Sequence, residues 1–537
     1  MRSNEQGDKE NNGVVGISPK ARIPRLVYVV GCDIGTTSTK SVVVDVETGD
    51  AVARASSFEY APDSPKPKWS EQHSDVWMRA CFDSIRNAIA SGKGKRVSAD
   101  EICGLCISSL NPGSGIPLDK ELKPIHPALV WNDSRAIKEA EEAVRIVGLE
   151  RLAAITGNTS DPYFGFTKIL WIKNNRKAIW ERTCKFATPN GYAAYLLTGI
   201  LLYDLCYAGN LGGLFDINHV TWSDELLEEF EVPRDKLPDL IACDQVVGEV
   251  TSQGSELTGL KKGTVVAAGG DDAPMSALGS GALNDGEHNF MCGTSGCWNM
   301  IQDSRAHPWR MTTKLINYPY VIEPREKLES FGGSKTTGHC FRWFANLTKS
   351  NERTLDEEAE LSTTLEKGII FIPQMMGERT PDWDPSRFGG FCGLAGTPTR
   401  GELYRAILES VAFDLLRHEA PANRAGIQLS KTMLLSGATA KSRVYREIVA
   451  NVTGYRVVYP ERSGEAAGGD ALIAALASKQ VHDASVIKDW LRLDEAEASE
   501  PDEVVHRRYV EFFQKVWLPS YEALKPVDDA LTSWTVR

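Results

Sequence analysis

From Leu26 onward, short apolar runs alternate with turn residues: LVYVVGCDI leads into GTTST, KSVVVDV into ETGD, and AVARASSF follows. Runs rich in β-branched residues and bounded by Gly, Thr and Asp predict three strands in an antiparallel meander whose first turn is a Gly-Thr loop. The event recurs about half a chain later. The strand-like TVVAAGG ends at Asp271 and Asp272, and GEHNFMCGTSGCWNMIQ then folds two β-like segments about Gly293, Thr294, Ser295 and Gly296. Two halves that each open with a strand, a Gly-Thr turn and a strand point to a domain duplication. Between these landmarks, SDVWMRACFDSIRNAIASG, DSRAIKEAEEAVRIVG and RGELYRAILESVAFDLLRHEA carry apolar residues at spacings of three and four, which predicts helices. Strands alternating with such helices place the chain in the α/β class.

Composition narrows the function classes. The net charge of −12 over 537 residues leaves no bulk basic surface for a nucleic-acid backbone, so a dedicated DNA or RNA binder is not expected. The length allows two large domains or several small ones, and 42% hydrophobic residues can fill real cores. The opening MRSNEQGDKENNGVVG has no apolar signal region and no run reaches membrane-spanning length, so neither secretion nor a membrane partner is expected; the reading is cytoplasmic. Its polar, Gly/Asn-rich composition through about residue 25 predicts a disordered tail. The 11 cysteines are scattered, and Cys103 and Cys106, though spaced CxxC, lack a second pair or a His partner and read as buried free thiols. The nine histidines show no paired ligand spacing, and no structural metal is assigned.

The chemistry-bearing residues cluster at the two turns. In Asp33-Ile34-Gly35-Thr36-Thr37-Ser38-Thr39-Lys40, glycine lets successive N–H groups point into one concavity. Hydroxyls on Thr36 and Thr37 add donors, and Lys40 adds a positive charge. Such a loop suits a polyphosphate, and Asp33 at the strand end is placed to hold Mg²⁺ directly or through water. A plain hairpin turn explains the same residues, and it is the second Gly-Thr turn that favours a nucleotide met from both sides. A P-loop, a protein-kinase set and a dinucleotide fingerprint are all missing. In Gly269-Gly270-Asp271-Asp272 an apolar strand delivers a carboxylate to the carboxyl end of a sheet, where a general base for a sugar hydroxyl is needed. The same residues also make good helix N-capping chemistry, and the two roles are compatible. Aromatic and polar residues in KWSEQHSDVW, ALVWNDSRA and SDPYFGFTK offer a sugar-lining set or ordinary core.

Taken together, these motifs resemble those of the FGGY carbohydrate kinases, over residues 27 to 478. DIGTTSTK is similar to that family's first phosphate loop, WSEQ and WNDSR to its N-domain motifs, GGDDA to its catalytic segment and CGTSG to its second phosphate loop. Gly389-Gly390-Phe391-Cys392-Gly393-Leu394, with Glu402-Leu403 and Ala406-Ile407-Leu408-Glu409, resembles its C-domain signature, and MMGERTPDWDP its xylulokinase branch. The resemblance implies two actin-like (ribonuclease H-like) domains with a nucleotide cleft between them: 26–283 sugar-binding, 284–485 nucleotide-binding, then a helical extension over 486–537. It implies ATP and Mg²⁺, a small sugar or polyol as substrate, and Asp271 as base, with Asp272, Tyr163 and Asn111 on the sugar. Gly293, Thr294, Gly338, Arg342 and the loop from Gly437 to Ser442, with Ala438 and Lys441, would line the nucleotide. A homodimer is allowed for.

Two departures from the family pattern stand out. SSLNPGSG presents Asn111 and Pro112 at the sugar-facing turn, where relatives carry Met-His or Arg-Glu, which leaves the sugar open. Ala438 and Thr439 replace glycines where the backbone usually approaches the nucleotide, an expected source of altered affinity. The function expected is transfer of the ATP γ-phosphoryl group to a small ketose or polyol, D-xylulose first, and otherwise another pentulose, a deoxyketose or a tetritol. The rivals are an actin-like ATPase without a small-molecule acceptor and a sugar-binding regulator that has lost catalysis.

Overall fold

The structure, a computed structural model, describes residues 27–91, 97–111, 113–460, 466–493 and 497–535. The N-terminal tail and Pro112, both singled out in the sequence, lie outside the described residues. The first domain is built on a six-stranded sheet. Its strands are β1 (Tyr28–Ile34), β2 (Thr39–Asp45), β3 (Ala51–Ser56), β4 (Ile102–Ser109), β5 (Val246–Glu249) and β6 (Val265–Ala267), in the order β5-β6-β4-β1-β2-β3. The β1-β2-β3 meander is antiparallel, whereas β4 runs parallel to β1 and β6 parallel to β4.

The second domain repeats this plan with β7 (His288–Cys292), β8 (Gly296–Asp303), β9 (Ile316–Pro319), β10 (Lys327–Ser334), β11 (Thr432–Ser436) and β12 (Arg456–Val458), ordered β9-β10-β8-β7-β11-β12. Here too the opening hairpin is antiparallel and the next two strands are parallel. The five-strand series β3-β2-β1-β4-β6 and β10-β8-β7-β11-β12 therefore match in order and direction. The expected duplication is real, and both Gly-Thr turns sit at the tip of the equivalent hairpin.

Both faces of the first sheet are covered, as parallel strands require. Tyr28, Val30 and Cys32 pack in one core with Trp77 and Ile85 of α1 (Ser74–Ala90). On the other face lie two helices. One is α2 (Asp272–Gly279), which follows β6. The second-domain helices used below are α3 (Gly338–Leu347) and α4 (Arg400–Arg424). The other helix on the first sheet is α5 (Ala466–Ala477). Although α5 comes late in the chain, its Asp470 accepts hydrogen bonds from Ser108 Oγ (2.7 Å) and Cys106 Sγ (3.5 Å) of β4. The chain thus crosses between the domains at α2 and again at α5, and a boundary drawn by sequence order alone separates α5 from the sheet it covers. Asn158 and Asn317 close the seam elsewhere: the Asn158 side-chain amide donates to Asn317 O and accepts from Asn317 N, at 2.8 Å each.

Two local expectations shift. The helix expected from Asp133 starts at Ile137, because Asp133 and Arg135 are committed to a buried ion pair at 2.7 Å and Asp133 also accepts from Ser70 N. Cys106 is buried as expected, but Cys103 is only partly so; both are free thiols. Helices do fill the region after residue 486, and Tyr509, Trp517 and Tyr521 tie them into the second domain's core. Among the described residues no helix is long and apolar enough to cross a membrane.

Candidate active site

The first Gly-Thr loop closes on itself through Gly35 N, which donates to Ser38 O at 3.1 Å, and is braced by Tyr60 OH on Gly35 O at 2.7 Å. Thr36 is half-buried and accepts from Trp131 Nε1 (3.4 Å), whereas Thr37 and Lys40 are exposed. Asp33, near the end of β1, is paired in register with Lys40 on β2 and Ser108 on β4. Carboxylate, hydroxyls and ammonium therefore stand around one turn, as a polyphosphate site needs.

The second loop is held by the second domain alone. Gly293 N donates to Ser295 O at 3.0 Å, and the start of α3 wraps it: Gly338 N donates to Gly293 O (3.0 Å), and Thr337 N and His339 N to Thr294 O (3.1 Å each). Arg342, one turn on, reaches Thr294 Oγ1 at 2.6 Å. Gly437 completes the group. Its φ is +94°, and a Cβ there would lie 2.4 Å from Cys292 O, so only glycine fits. The two non-glycine residues after it behave differently. Thr439 is buried with its hydroxyl taken by Cys292 O at 2.9 Å, so it braces the loop, while Ala438 is exposed. Ala438 and exposed Lys441 border a cavity of about 350 Å³ that also touches Phe341, Asp356 and Tyr404. Burial pushes the Asp356 carboxyl up to about 6, and one of its oxygens is sealed without a partner.

Asp271 lies between the two loops in depth. The β4 strand delivers it: Ser109 N donates to Gly270 O at 3.1 Å and Ser109 is bridged to Asp271. Asp271 is only 2% exposed and N-caps α2, accepting from Ala273 N at 3.2 Å. The sequence offered base or N-cap; the cap is present and occupies Oδ1, while Oδ2 takes a 2.6 Å bond from Asn210 Nδ2. Burial raises the Asp271 carboxyl. It raises Asp272 further, because the charges of Asp271 and Asp33 add to burial there. Asp271 is thus the member of the pair that ionises first.

Around Asp271 stand polar atoms with nothing to bond. Asn111 is buried and turns its Oδ1 to Gly113 N (2.8 Å), leaving Nδ2 sealed without a partner. Asn210 gives its amide to Asp271 and leaves Oδ1 equally bare. Tyr163 is buried beside both amides, and burial raises its phenol. Glu329 of β10, buried and raised by burial with a further push from Asp271, bonds Tyr318 through one oxygen at 3.2 Å and leaves the other unpartnered. Orphaned buried polar atoms are uncommon in folded proteins. Asn111 and Asn210 both lie beside Tyr163, and Glu329 is close enough to Asp271 to feel its charge.

Of the residues singled out in the sequence, Asn111, Tyr163, Asp271 and Asp272 lie together in the first domain, Asp33, Thr36, Thr37 and Lys40 at the first turn, and Gly293, Thr294, Gly338, Arg342 and Gly437 at the second, with Ala438 and Lys441 on the cavity beside it. Asn210 and Glu329 were not singled out. Asn210 ends a six-residue helix, Leu205–Asn210, and Glu329 lies in a strand; neither carries a motif. Among the described residues no three His, Cys, Asp or Glu side chains come together as a metal cage. A single carboxylate at Asp33 fits a Mg²⁺ that arrives with phosphates, since Mg²⁺ takes few protein ligands and keeps several waters.

Comparison with known proteins agrees with this geometry. Residues 28–279 match the FGGY family of carbohydrate kinases, N-terminal domain, and residues 288–478 its C-terminal domain. A xylulose kinase of Lactococcus lactis is 31% identical over 396 residues, 73% of this chain and 76% of that protein. One from Staphylococcus xylosus is 28% identical over 454 residues, 84% and 91% of the two chains. The crystal structure of a xylulose kinase from Rhodospirillum rubrum superposes with a TM-score of 0.83 at 25% identity, covering 94% of this chain and all of that one. With matched domains spanning most of its length around a shared cleft, the chain belongs to the FGGY family of carbohydrate kinases, phosphotransferases that act on sugars.

Proposed function

We propose that this sugar kinase transfers the γ-phosphoryl group of ATP to a hydroxyl of a small ketose, with D-xylulose as its first substrate and Asp271 as general base. One observation carries the reading: Asp271 is buried, oriented by Asn210 at 2.6 Å, and faces amide atoms of Asn111 and Asn210 that have no partner. A polyhydroxy acceptor both donates and accepts, so it would satisfy the bare donor on Asn111 and the bare acceptor on Asn210 together. The names of the relatives support a ketose in particular.

In this reading Asp271 takes the proton of the attacking hydroxyl, and Asn210 keeps the carboxylate from rotating away. Asp272 holds its own proton more tightly and helps bind the sugar. The N–H groups of the two Gly-Thr turns, with Lys40 and Arg342, neutralise and orient the phosphates, because phosphoryl transfer is mostly positioning and electrostatics. Bound Mg²⁺ would supply charge neutralisation at the phosphates, held from the protein side by Asp33. The buried setting of Asp271 excludes water, the competing acceptor.

The test is a coupled assay of ADP release with D-xylulose, other pentuloses, hexuloses and polyols. Acceptor-dependent turnover with D-xylulose at or near the top is the expected result. ATP turnover that ignores every acceptor would instead favour an actin-like ATPase.

A further inference from the structure

A loop of the second domain, residues 374–388, reaches first-domain aromatics: Trp383 meets Tyr163 and Phe164, and Arg379 meets Tyr163 and Trp131. Its anchors lie in the second domain. Glu378 pairs with Arg417 at 2.6 Å and bonds Tyr521 OH, and Tyr521 is itself stacked between the guanidinium groups of Arg387 (3.7 Å) and Arg417 (3.8 Å). Thr380 Oγ1 accepts from Gly333 N at 2.6 Å, and the Thr380 carbonyl contacts His418 Nε2 at 2.9 Å. Between these two fixed residues the side chain of Arg379 turns inward.

The environment of Arg379 is unusual within this protein. Among the described residues Arg379, Arg387, Arg417 and Arg446 are the buried arginines, and three of them have carboxylate partners: Arg387 with Asp528 (3.1 Å), Arg417 with Glu378, and Arg446 with Glu497 (3.1 Å). Arg379 is only 8% exposed, yet among the described residues it makes no ion pair and no side-chain hydrogen bond, and its Nε is sealed without a partner. Its guanidinium lies instead over three rings, 5.0 Å from Phe331, 5.1 Å from Tyr163 and 5.5 Å from Trp131. Room is made for it at residue 333, where a Cβ would come within 1.9 Å of Nη2. Arg379 is close enough to favour the ionised form of Asp271, but the two do not touch. A buried cation left without a partner is strongly disfavoured. Here a cation from one domain and an anion from the other face the same space, with bare amide atoms beside them.

Resting on the kinase reading above, we propose that Arg379 is a specificity-determining residue that binds the acceptor's carbonyl oxygen, so that the acceptor bridges Asp271 and Arg379. A guanidinium only donates, so it selects an oxygen with free lone pairs, and a carbonyl oxygen needs no donor in return. The contact would also make the acceptor touch both domains.

The test compares wild type, Arg379→Lys and Arg379→Gln by the KM for D-xylulose, the Ki of its reduced form xylitol as competitor, and thermal stability. A hydrogen bond to a charged group is worth roughly 10- to 100-fold in binding. The wild-type KM for the ketose should therefore lie about 10-fold or more below the Ki for xylitol. In Arg379→Gln the ketose KM should rise by about that factor, the xylitol Ki should move less than about 3-fold, and the melting temperature should not fall. Arg379→Lys should recover part of the discrimination. Loss of both affinities together with a lower melting temperature would reveal a structural role and overturn the proposal, as would an unchanged ratio of KM to Ki. A wild-type enzyme inactive on every acceptor would remove the kinase-on-ketose reading itself; an active one with Arg379→Gln unaltered removes only this inference.

Discussion

Asp271→Asn separates chemistry from stability more cleanly than any other single change. Asparagine is as good an N-cap as aspartate, so its carbonyl oxygen keeps the bond from Ala273 N (3.2 Å), and its NH2 can donate to the bare Oδ1 of Asn210 once that amide turns over. What disappears is the proton acceptor. General-base catalysis contributes 10²- to 10⁴-fold, about 2.7 to 5.5 kcal/mol of transition-state stabilisation, so turnover should fall by at least about 100-fold. The stability change has the opposite sign. Burial raises the Asp271 pKa in the folded state, so between the unfolded value and that raised value the native state binds more protons, and stability declines as pH rises through the window. The asparagine variant lacks this decline and should melt no lower than wild type at neutral pH, with the difference in its favour shrinking toward pH 4. Steady-state kinetics beside thermal melts at pH 4 to 8 supply both readouts. Near wild-type turnover would reassign the base to Asp272, and a large drop in melting temperature would mean that the kinetic loss reports misfolding.

The other predictions concern the walls of the cleft. Thr294→Val removes the acceptor that holds Arg342 at 2.6 Å, so the KM for ATP should rise about 10-fold while the acceptor KM stays within about 2-fold; a shift confined to the acceptor would misplace the nucleotide. Asn111→Ala should lower acceptor kcat/KM by about 10-fold or more with ATP binding little changed, and an unaltered sugar profile would show that this turn does not read the substrate. Gly437→Ala forces a Cβ to 2.4 Å from Cys292 O at φ +94°, so it should cost about 1–2 kcal/mol from backbone strain alone and weaken ATP binding, checked by denaturant unfolding and calorimetry; wild-type values for both would remove that loop from the nucleotide's surroundings.

The sequence made the hairpins legible because a Gly-Thr turn between two β-branched runs leaves little else for the chain to do, and both land at equivalent positions of equivalent sheets. Asp271 was legible for the same reason: a short apolar strand ending in two glycines places its next residue at a sheet's carboxyl end. The crossing of α5 was not. Its composition is apolar all round, which says that it is buried but not against which sheet. The Asp133 region misled by periodicity, since its helical spacing continues upstream while a buried ion pair with Arg135 holds the backbone elsewhere. Asn210 and Arg379 mark the remaining limit. An asparagine ending a short helix is an ordinary residue in sequence, and Arg379 stood out only as one position of MMGERTPDWDP with no role attached; the partners they lack in three dimensions set them apart.

In the proposed function, the polar atoms around Asp271 bind a sugar whose hydroxyl attacks ATP. This is tested most directly by ADP release from purified protein with ATP and Mg²⁺, measured without an acceptor and then with D-xylulose and glycerol in turn. The account predicts slow release alone, a large stimulation by D-xylulose, and a kcat/KM for glycerol at least about 10-fold lower, since glycerol offers no carbonyl oxygen and leaves polar groups unpaired. Release that is equally fast with and without every acceptor would contradict it.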